Sequence, residues 1–195
     1  VASIEIHSVQ TVSGNQARVR RIIEDDGSTF LAGTPVSIEA ADGGVQAWDG
    51  TTVAFGIAGF SLSAASNLTT TGVPKTLTFG SVPNEASAVN IPRGAPLNDG
   101  RVDFETSSQD TIFRGQVGPA QTALATDVGV SYGMTIDSDN HWYVDKTKST
   151  VGVNTVVSIV KLDPTDQGGF PLSVPPATPR GVYFQVLVAA AQVVN

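Results

Sequence analysis

Alternation of apolar and polar positions runs through most of the chain and predicts strands. In "TPVSIEA" Val36, Ile38 and Ala40 share one face while Ser37 and Glu39 take the other, the period of two of a half-buried strand. "RVDFE" sets Val102 and Phe104 against Arg101, Asp103 and Glu105 in the same way. Three further runs, "VAFGIAGF" (53–60), "TVVSIVKL" (155–162) and "GVYFQVLVAAAQVV" (181–194), are almost continuously apolar, as strands covered on both faces would be. Turn signals separate the runs: Asp25-Asp26-Gly27, Asp42-Gly43-Gly44, Asp49-Gly50, Asn98-Asp99-Gly100 and Asp139-Asn140. Helical spacing is scarce, and its best candidates, "NQARVRRIIE" (15–24) and "PAQTALATDV" (119–128), are short and not firmly capped. The expectation is an all-β protein of one or two small antiparallel barrels or sandwiches.

Three regions follow from the same pattern. Residues 1–28 read as an extended N-terminal arm, polar and partly basic. Residues 29–100 hold a first β unit around Trp48, followed from 63 by a long irregular connection rich in Ser, Thr, Pro, Asn and Gly. Residues 101–195 form a second, barrel-like β unit. A faint echo links the two units: "VQAWDGT" (45–51) lines up with "HWYVDKT" (141–147), each an aromatic-bearing strand, an Asp, one residue and a Thr. Hairpins of this kind are common, so the echo suggests duplication without establishing it.

Composition narrows the function. The 195 residues are 41% hydrophobic and only 15% charged, which argues against disorder and suits a protein that buries neutral surface against partners. A net charge of −7 disfavours broad binding to nucleic acid, whose phosphates would repel it. The absence of cysteine excludes disulfides and thiolate metal sites. No signal peptide and no apolar run long enough to span a membrane is visible, so a soluble molecule without membrane contact is expected.

Each candidate chemistry competes with a plainer role. "IDSDNHWYVDKT" (136–147) gathers three aspartates, a histidine and a tryptophan, but it fails as a calcium loop: Asp137 and Asp139 fit, whereas His141, Trp142 and Lys148 fall where an oxygen ligand, a glycine and a bidentate glutamate are needed. Zinc would require His141 plus distant ligands, and the only other histidine is His7. The plainer reading is a β-hairpin turning at Asp139-Asn140, with Trp142 and Val144 facing one way and Tyr143 and Asp145 the other. Glu24, Asp25 and Asp26 beside a glycine read as a solvated turn rather than paired catalytic acids. No nucleophile elbow and no phosphate-binding glycine loop is present, so no catalytic, metal or cofactor residues are assigned. The one basic concentration is Arg18, Arg20 and Arg21. In a helix Arg18 and Arg21 would share a face; in a strand Arg18 and Arg20 would align and Arg21 would oppose them. Its functional reading is docking to an acidic partner surface, against solvated arginines balanced by Glu24, Asp25 and Asp26.

Several stretches resemble the head decoration, or cement, proteins of tailed bacteriophages. The shared outline is an F-x-G-x-V stretch (Phe113, Gly115, Val117), then Asp127-Val128-Gly129 with a Tyr132-Gly133-Met134-Thr135 strand, the Trp142 to Asp145 hairpin strand and an apolar V-x-I-x-x-L strand. "GTPVSIEAADGGVQAWDG…AFGIAG" (33–59) is similar to a pattern of small phage structural proteins. The resemblance implies a non-enzymatic virion component, made in the host cytoplasm, that binds the outside of an icosahedral head as a homo-oligomer, usually a trimer. Its partner would be the major capsid protein, whose neighbouring subunits it would cement, with Arg18, Arg20 and Arg21 as candidate contacts. The alternative is a tail, baseplate or head-fibre component that binds a host receptor or glycan. That alternative needs Trp48, Trp142 and Tyr143 exposed for stacking, and an enzyme would need two carboxylates converging in a cleft.

Overall fold

The fold is taken from a computed structural model, which describes residues 6–14, 16–25, 28–39, 43–50, 56–66, 101–151, 153–164, 179–187 and 190–191. The protein is all-β, built on two antiparallel sheets. Among the described residues the strands are β1 (His7–Thr11), β2 (Val19–Ile23), β3 (Thr29–Phe30), β4 (Pro35–Ile38), β5 (Val45–Ala47), β6 (Gly59–Ser61) and β7 (Ala65–Ser66). Six more follow: β8 (Arg101–Thr106), β9 (Thr111–Gln116), β10 (Ser131–Ile136), β11 (Trp142–Asp145), β12 (Val157–Leu162) and β13 (Gly181–Val186). A 3-10 turn, Ala125–Asp127, occupies part of the second stretch in which helical spacing was expected.

The first expected helix is a strand. Residues 19–23 pair along their length with β8, from Val19 opposite Glu105 to Ile23 opposite Arg101. The arm is therefore extended but not free-standing. β1 lies along β9 at the edge of one sheet, and β2 belongs to the other. The unit boundary expected at residue 101 also moves, because β8 sits between β2 and β6 and completes the first sheet.

In each sheet five strands curl until a parallel bridge joins the ends of the first and last of the five. The first runs β2-β8-β6-β4-β5 and returns through Glu24 opposite Val45; the second runs β9-β13-β12-β10-β11 and returns through Val117 opposite Val144. The residue after each bridge repeats the same bond: the Asp25 N–H donates to the Val45 carbonyl at 2.8 Å, and the Gly118 N–H to the Val144 carbonyl at 3.1 Å. Taken in chain order, the five strands of each barrel have the same neighbours.

The ladders match in register as well as in order. Val45 pairs with Ile38, Val36 with Gly59, Gly59 with Thr106 and Phe104 with Arg20. In the second barrel Val144 pairs with Met134, Tyr132 with Val157, Val157 with Val186 and Phe184 with Phe113. Followed round from the closing bridges, Val45 corresponds to Val144, Gly59 to Val157, Phe60 to Ser158, Phe104 to Phe184, Arg20 to Phe113 and Ile22 to Gly115. The two barrels are copies of one framework. The echo in the sequence lies on corresponding strands, β5 and β11, but it set Val45 against His141, three residues out of register.

Period-two burial fills both interiors. Val36, Val45, Ala58, Val102 and Phe104 form the first core, closed at one side by Phe30 and Ala65 from the small β3–β7 ribbon. Val102 and Phe104 are fully buried between partly exposed Arg101, Asp103 and Glu105, the alternation that their sequence predicts. β6 is buried on both faces, as its apolar run requires, and Gly59 shows why: a Cβ there would lie 2.0 Å from the Glu105 carbonyl oxygen. β12 is not covered on both faces; Val157 and Ile159 are buried, Ser158 and Val160 only partly.

The barrels share packing. Phe60, Ile57 and Trp48 leave the first framework and join the core of the second, with Phe60 4.5 Å from Phe113 and 5.7 Å from Phe184 between ring centroids. Burying a phenylalanine completely contributes about 2–3 kcal/mol, so the junction is part of the fold and not a loose linker. β1 clasps the same junction. Its Ser8 donates through both N–H and hydroxyl to the Glu105 carboxylate of β8, while its backbone pairs with β9.

Candidate functional site

The stretch 136–147 is a hairpin turn. β10 and β11 pair from Gly133 opposite Asp145 to Ile136 opposite Trp142. Asn140 takes a φ of 63°, a left-handed conformation that asparagine tolerates. Asp137 holds the turn by accepting the N–H groups of Asp139 and His141, each at 2.9 Å. Those bonds, that from His141 first, hold the Asp137 carboxyl below the usual carboxylate range. His141 stands 3.7 Å from the same carboxylate, and His7 sits on β1 opposite Arg114. Among the described residues no three His, Asp or Glu side chains gather closely enough to hold a metal.

Beyond the turn, β11 carries a polar network that strand parity alone signals only in part. Asp145 faces away from the core as its parity requires, yet it is 8% exposed. Its Oδ1 accepts from Gln121 Nε2 (2.9 Å), the Thr147 N–H (3.0 Å) and Thr147 Oγ1 (2.7 Å), and its Oδ2 from Thr135 Oγ1 (2.9 Å). Burial pushes this carboxyl up, but the bonds from Thr147, Gln121 and Thr135 outweigh it and take the pKa down to about 2.

One residue on, Lys146 Nζ donates to Asp127 Oδ2 at 2.7 Å and to the Thr122 carbonyl at 2.8 Å. Asp127 also accepts from Tyr132 Oη at 2.8 Å and from the Leu124 N–H at 2.8 Å. Burial pushes Asp127 up, and the bonds from Lys146, Leu124 and Tyr132 bring it below its ordinary value. Burial and the Asp127 charge push the Tyr132 phenol up to about 12. Asp127 and Tyr132 are thus driven away from neutral pH in opposite directions, which suits a latch better than a proton-transfer pair. The network ties the segment 118–127 to β10 and β11 beside the bridge that closes the second barrel.

The three arginines do not converge. Arg21 faces outward and makes a fork with Asp103 on β8, Nε to Oδ1 and Nη2 to Oδ2, both at 2.6 Å. The fork expected toward a partner is therefore made within the chain. The Arg21 bond, ahead of the opposing effect of burial, holds Asp103 below its ordinary value. Arg20 faces the other side, opposite Phe104, and is partly buried. Arg18 is exposed just ahead of β2, its carbonyl accepting the Thr106 N–H at 2.9 Å. Alignment of Arg18 with Arg20 against Arg21 is the strand alternative of the sequence reading.

The remaining candidates are structural. Glu24 is 4% exposed and sits in the closing bridge of the first barrel, and Asp26 lies outside the described residues. Trp48 is 2% exposed, its ring 5.5 Å from that of Trp142; Trp142 and Tyr143 are partly buried. No protein-family model, curated protein or solved structure matches the chain.

Proposed function

We propose that the protein is a non-enzymatic structural component of a phage head, which binds the outer surface of the shell and cements neighbouring capsid subunits. The observation that carries this reading is the repeated barrel. Two copies of one framework, locked through Phe60 into a common core, form a body with two corresponding surfaces, which suits attachment to two adjacent copies of a lattice subunit. Attachment at two points raises the effective affinity without new chemistry. The phage resemblance of residues 33–59 and 113–162 supports the same reading. So does the housing of Asp103, Asp127, Asp137 and Asp145 in turns, forks and latches. Burial of Trp48 weighs against the glycan-binding alternative, which needed that ring for stacking.

The test is co-sedimentation of the purified protein with heads that lack it. Saturable binding at a fixed ratio to the major capsid protein, with heads then surviving heat better, is the expected result. Binding to tails or host cells, and none to heads, would overturn the proposal.

A further inference from the structure

The repeat makes each barrel a control for the other, and they differ where β1 docks. Along β9, Thr11 lies opposite Thr111, Gln10 opposite Ile112, Ser8 opposite Phe113 and His7 opposite Arg114. One step further, Ile6 reaches Gly115. A Cβ on that glycine would lie 3.3 Å from the Ile6 side chain and 2.9 Å from the Phe184 ring. Ile6 is 2% exposed and belongs to the second core. The position corresponding to Gly115 is Ile22, which packs against the first core from β2 itself. The first framework fills this place from its own five strands. The second leaves a socket there, which a strand from outside the five must fill.

β1 meets that socket as a separable piece. Among the described strands it pairs with β9 alone. Ser8 donates through N–H and hydroxyl to the Glu105 carboxylate, and the Val12 N–H donates to the Asp110 carbonyl at 2.8 Å. Ser13 donates through N–H and hydroxyl to the Asp110 carboxylate. These acceptors and the paired residues of β9 all fall within 105–114, so one continuous segment receives the strand. After β1 the chain leaves for the other barrel, where β2 begins at Val19. In that connection Gly14, Gln16 and Arg18 are exposed. It starts with a turn in which the Gly14 N–H donates to the Thr11 carbonyl at 3.1 Å and Gly14 takes a φ of 77°.

We infer that this socket joins copies of the chain: β1 of one copy seats on β9 of another and delivers its Ile6 to the Gly115 position there. Strand and groove are the same in every copy, so the ladder, the Ser8 and Ser13 bonds and the burial of Ile6 are reproduced across copies. Only the connection beyond Ser13 takes a new course, and its exposure means that no core is disturbed. The second copy therefore contributes a residue to the interior of the first. The inference rests on the repeat and does not depend on the shell-binding reading.

The experiment uses the full chain. One preparation carries isotope-labelled isoleucine methyl groups and another carries labelled phenylalanine rings; the two are refolded together, and light scattering gives the mass. The expected result is a mass of two chains or more, with a nuclear Overhauser signal from Ile6 of one label to Phe184 of the other. Gly14→Pro removes the N–H donor and fixes φ at about −65°, which forbids the folded-back turn. A Cβ at Gly14 would meet nothing within 4 Å, so the change acts on the backbone alone. It should lower the dissociation constant of the assembly about tenfold or more, whereas Gly14→Asn, which tolerates a positive φ, should behave as the parent. The mass of one chain at every concentration up to that of the spectroscopic sample, or an assembly whose Ile6–Phe184 signal stays within one label set, would overturn the inference. So would a Gly14→Pro chain that loses its fold or stays single.

Discussion

Asp145 offers the most exacting test of the physical reasoning. Four hydrogen bonds converge on one buried carboxylate: three on Oδ1 from Gln121 and Thr147, one on Oδ2 from Thr135. Asp145→Ala leaves those donors without an acceptor in a covered site. The cost is about 3–5 kcal/mol, since a group that loses its partner keeps its desolvation penalty. In a chain of this length that lowers the melting temperature by about 6–20 °C. Asp145→Asn is different. Its amide oxygen can serve the three donors on one side, and its NH2 can meet Thr135, whose hydroxyl turns to accept. It loses the charge and keeps the contacts, at about 1–2 kcal/mol.

The pH dependence separates charge from contact. With a folded pKa of about 2 and an unfolded value of about 3.9, the Asp145 carboxylate contributes about 2–3 kcal/mol. The folded pKa is the depressed one, so this stability is present above the unfolded pKa and is lost as pH falls through the folded value. Urea unfolding of wild type, Asp145→Ala and Asp145→Asn at pH 7 and at pH 2.5 reads all three quantities. Wild type should lose most of its advantage over Asp145→Asn across that interval. An alanine cost below 1 kcal/mol, or the same acid sensitivity in Asp145→Asn as in wild type, would refute the account of the latch.

Other perturbations probe the framework. Gly59→Ala places a methyl group against the Glu105 backbone and should cost at least about 3 kcal/mol, measured by urea unfolding or seen as failure to fold. Phe60→Ala should cost about 3–5 kcal/mol and change the fluorescence of Trp48, which shares its core, in a single unfolding transition. Removing residues 1–14 takes Ile6 from the second core and β1 from β9, so its melting temperature should fall clearly; removing 1–28 also takes β2 and should prevent folding. His141→Ala should change stability by no more than about 1 kcal/mol in the same assay, because the turn is held by the His141 N–H and not by its ring.

The sequence disclosed what depends on neighbours along the chain. The hairpin at Asp139-Asn140, the inward Val102 and Phe104 and the all-β class follow from local alternation and turn chemistry. β2 misled because Val19, Ile22 and Ile23 fall at helical spacing as readily as at strand spacing. What decided between them was pairing with β8, whose Asp103 lies 82 residues from Arg21. Asp145 was placed on the correct side of its strand, but the Gln121 that helps to cover it comes from another segment, which parity cannot reveal. The repeat was half-visible. Val45 and Val144, Val102 and Val182, and Phe104 and Phe184 keep their residue, whereas Ile22 and Gly115 or Arg20 and Phe113 exchange size and charge. Matching residues therefore found a strand and missed its register.

Phe60 gives the pair of barrels a direction. It projects from the first barrel into the core of the second. The corresponding residue of the second barrel is Ser158, flanked by Gln185, where the first barrel has Phe60 flanked by Glu105. A partly buried serine offers no ring to insert, so two frameworks alike in register are unlike in role: the first donates a side chain across the junction and the second receives it.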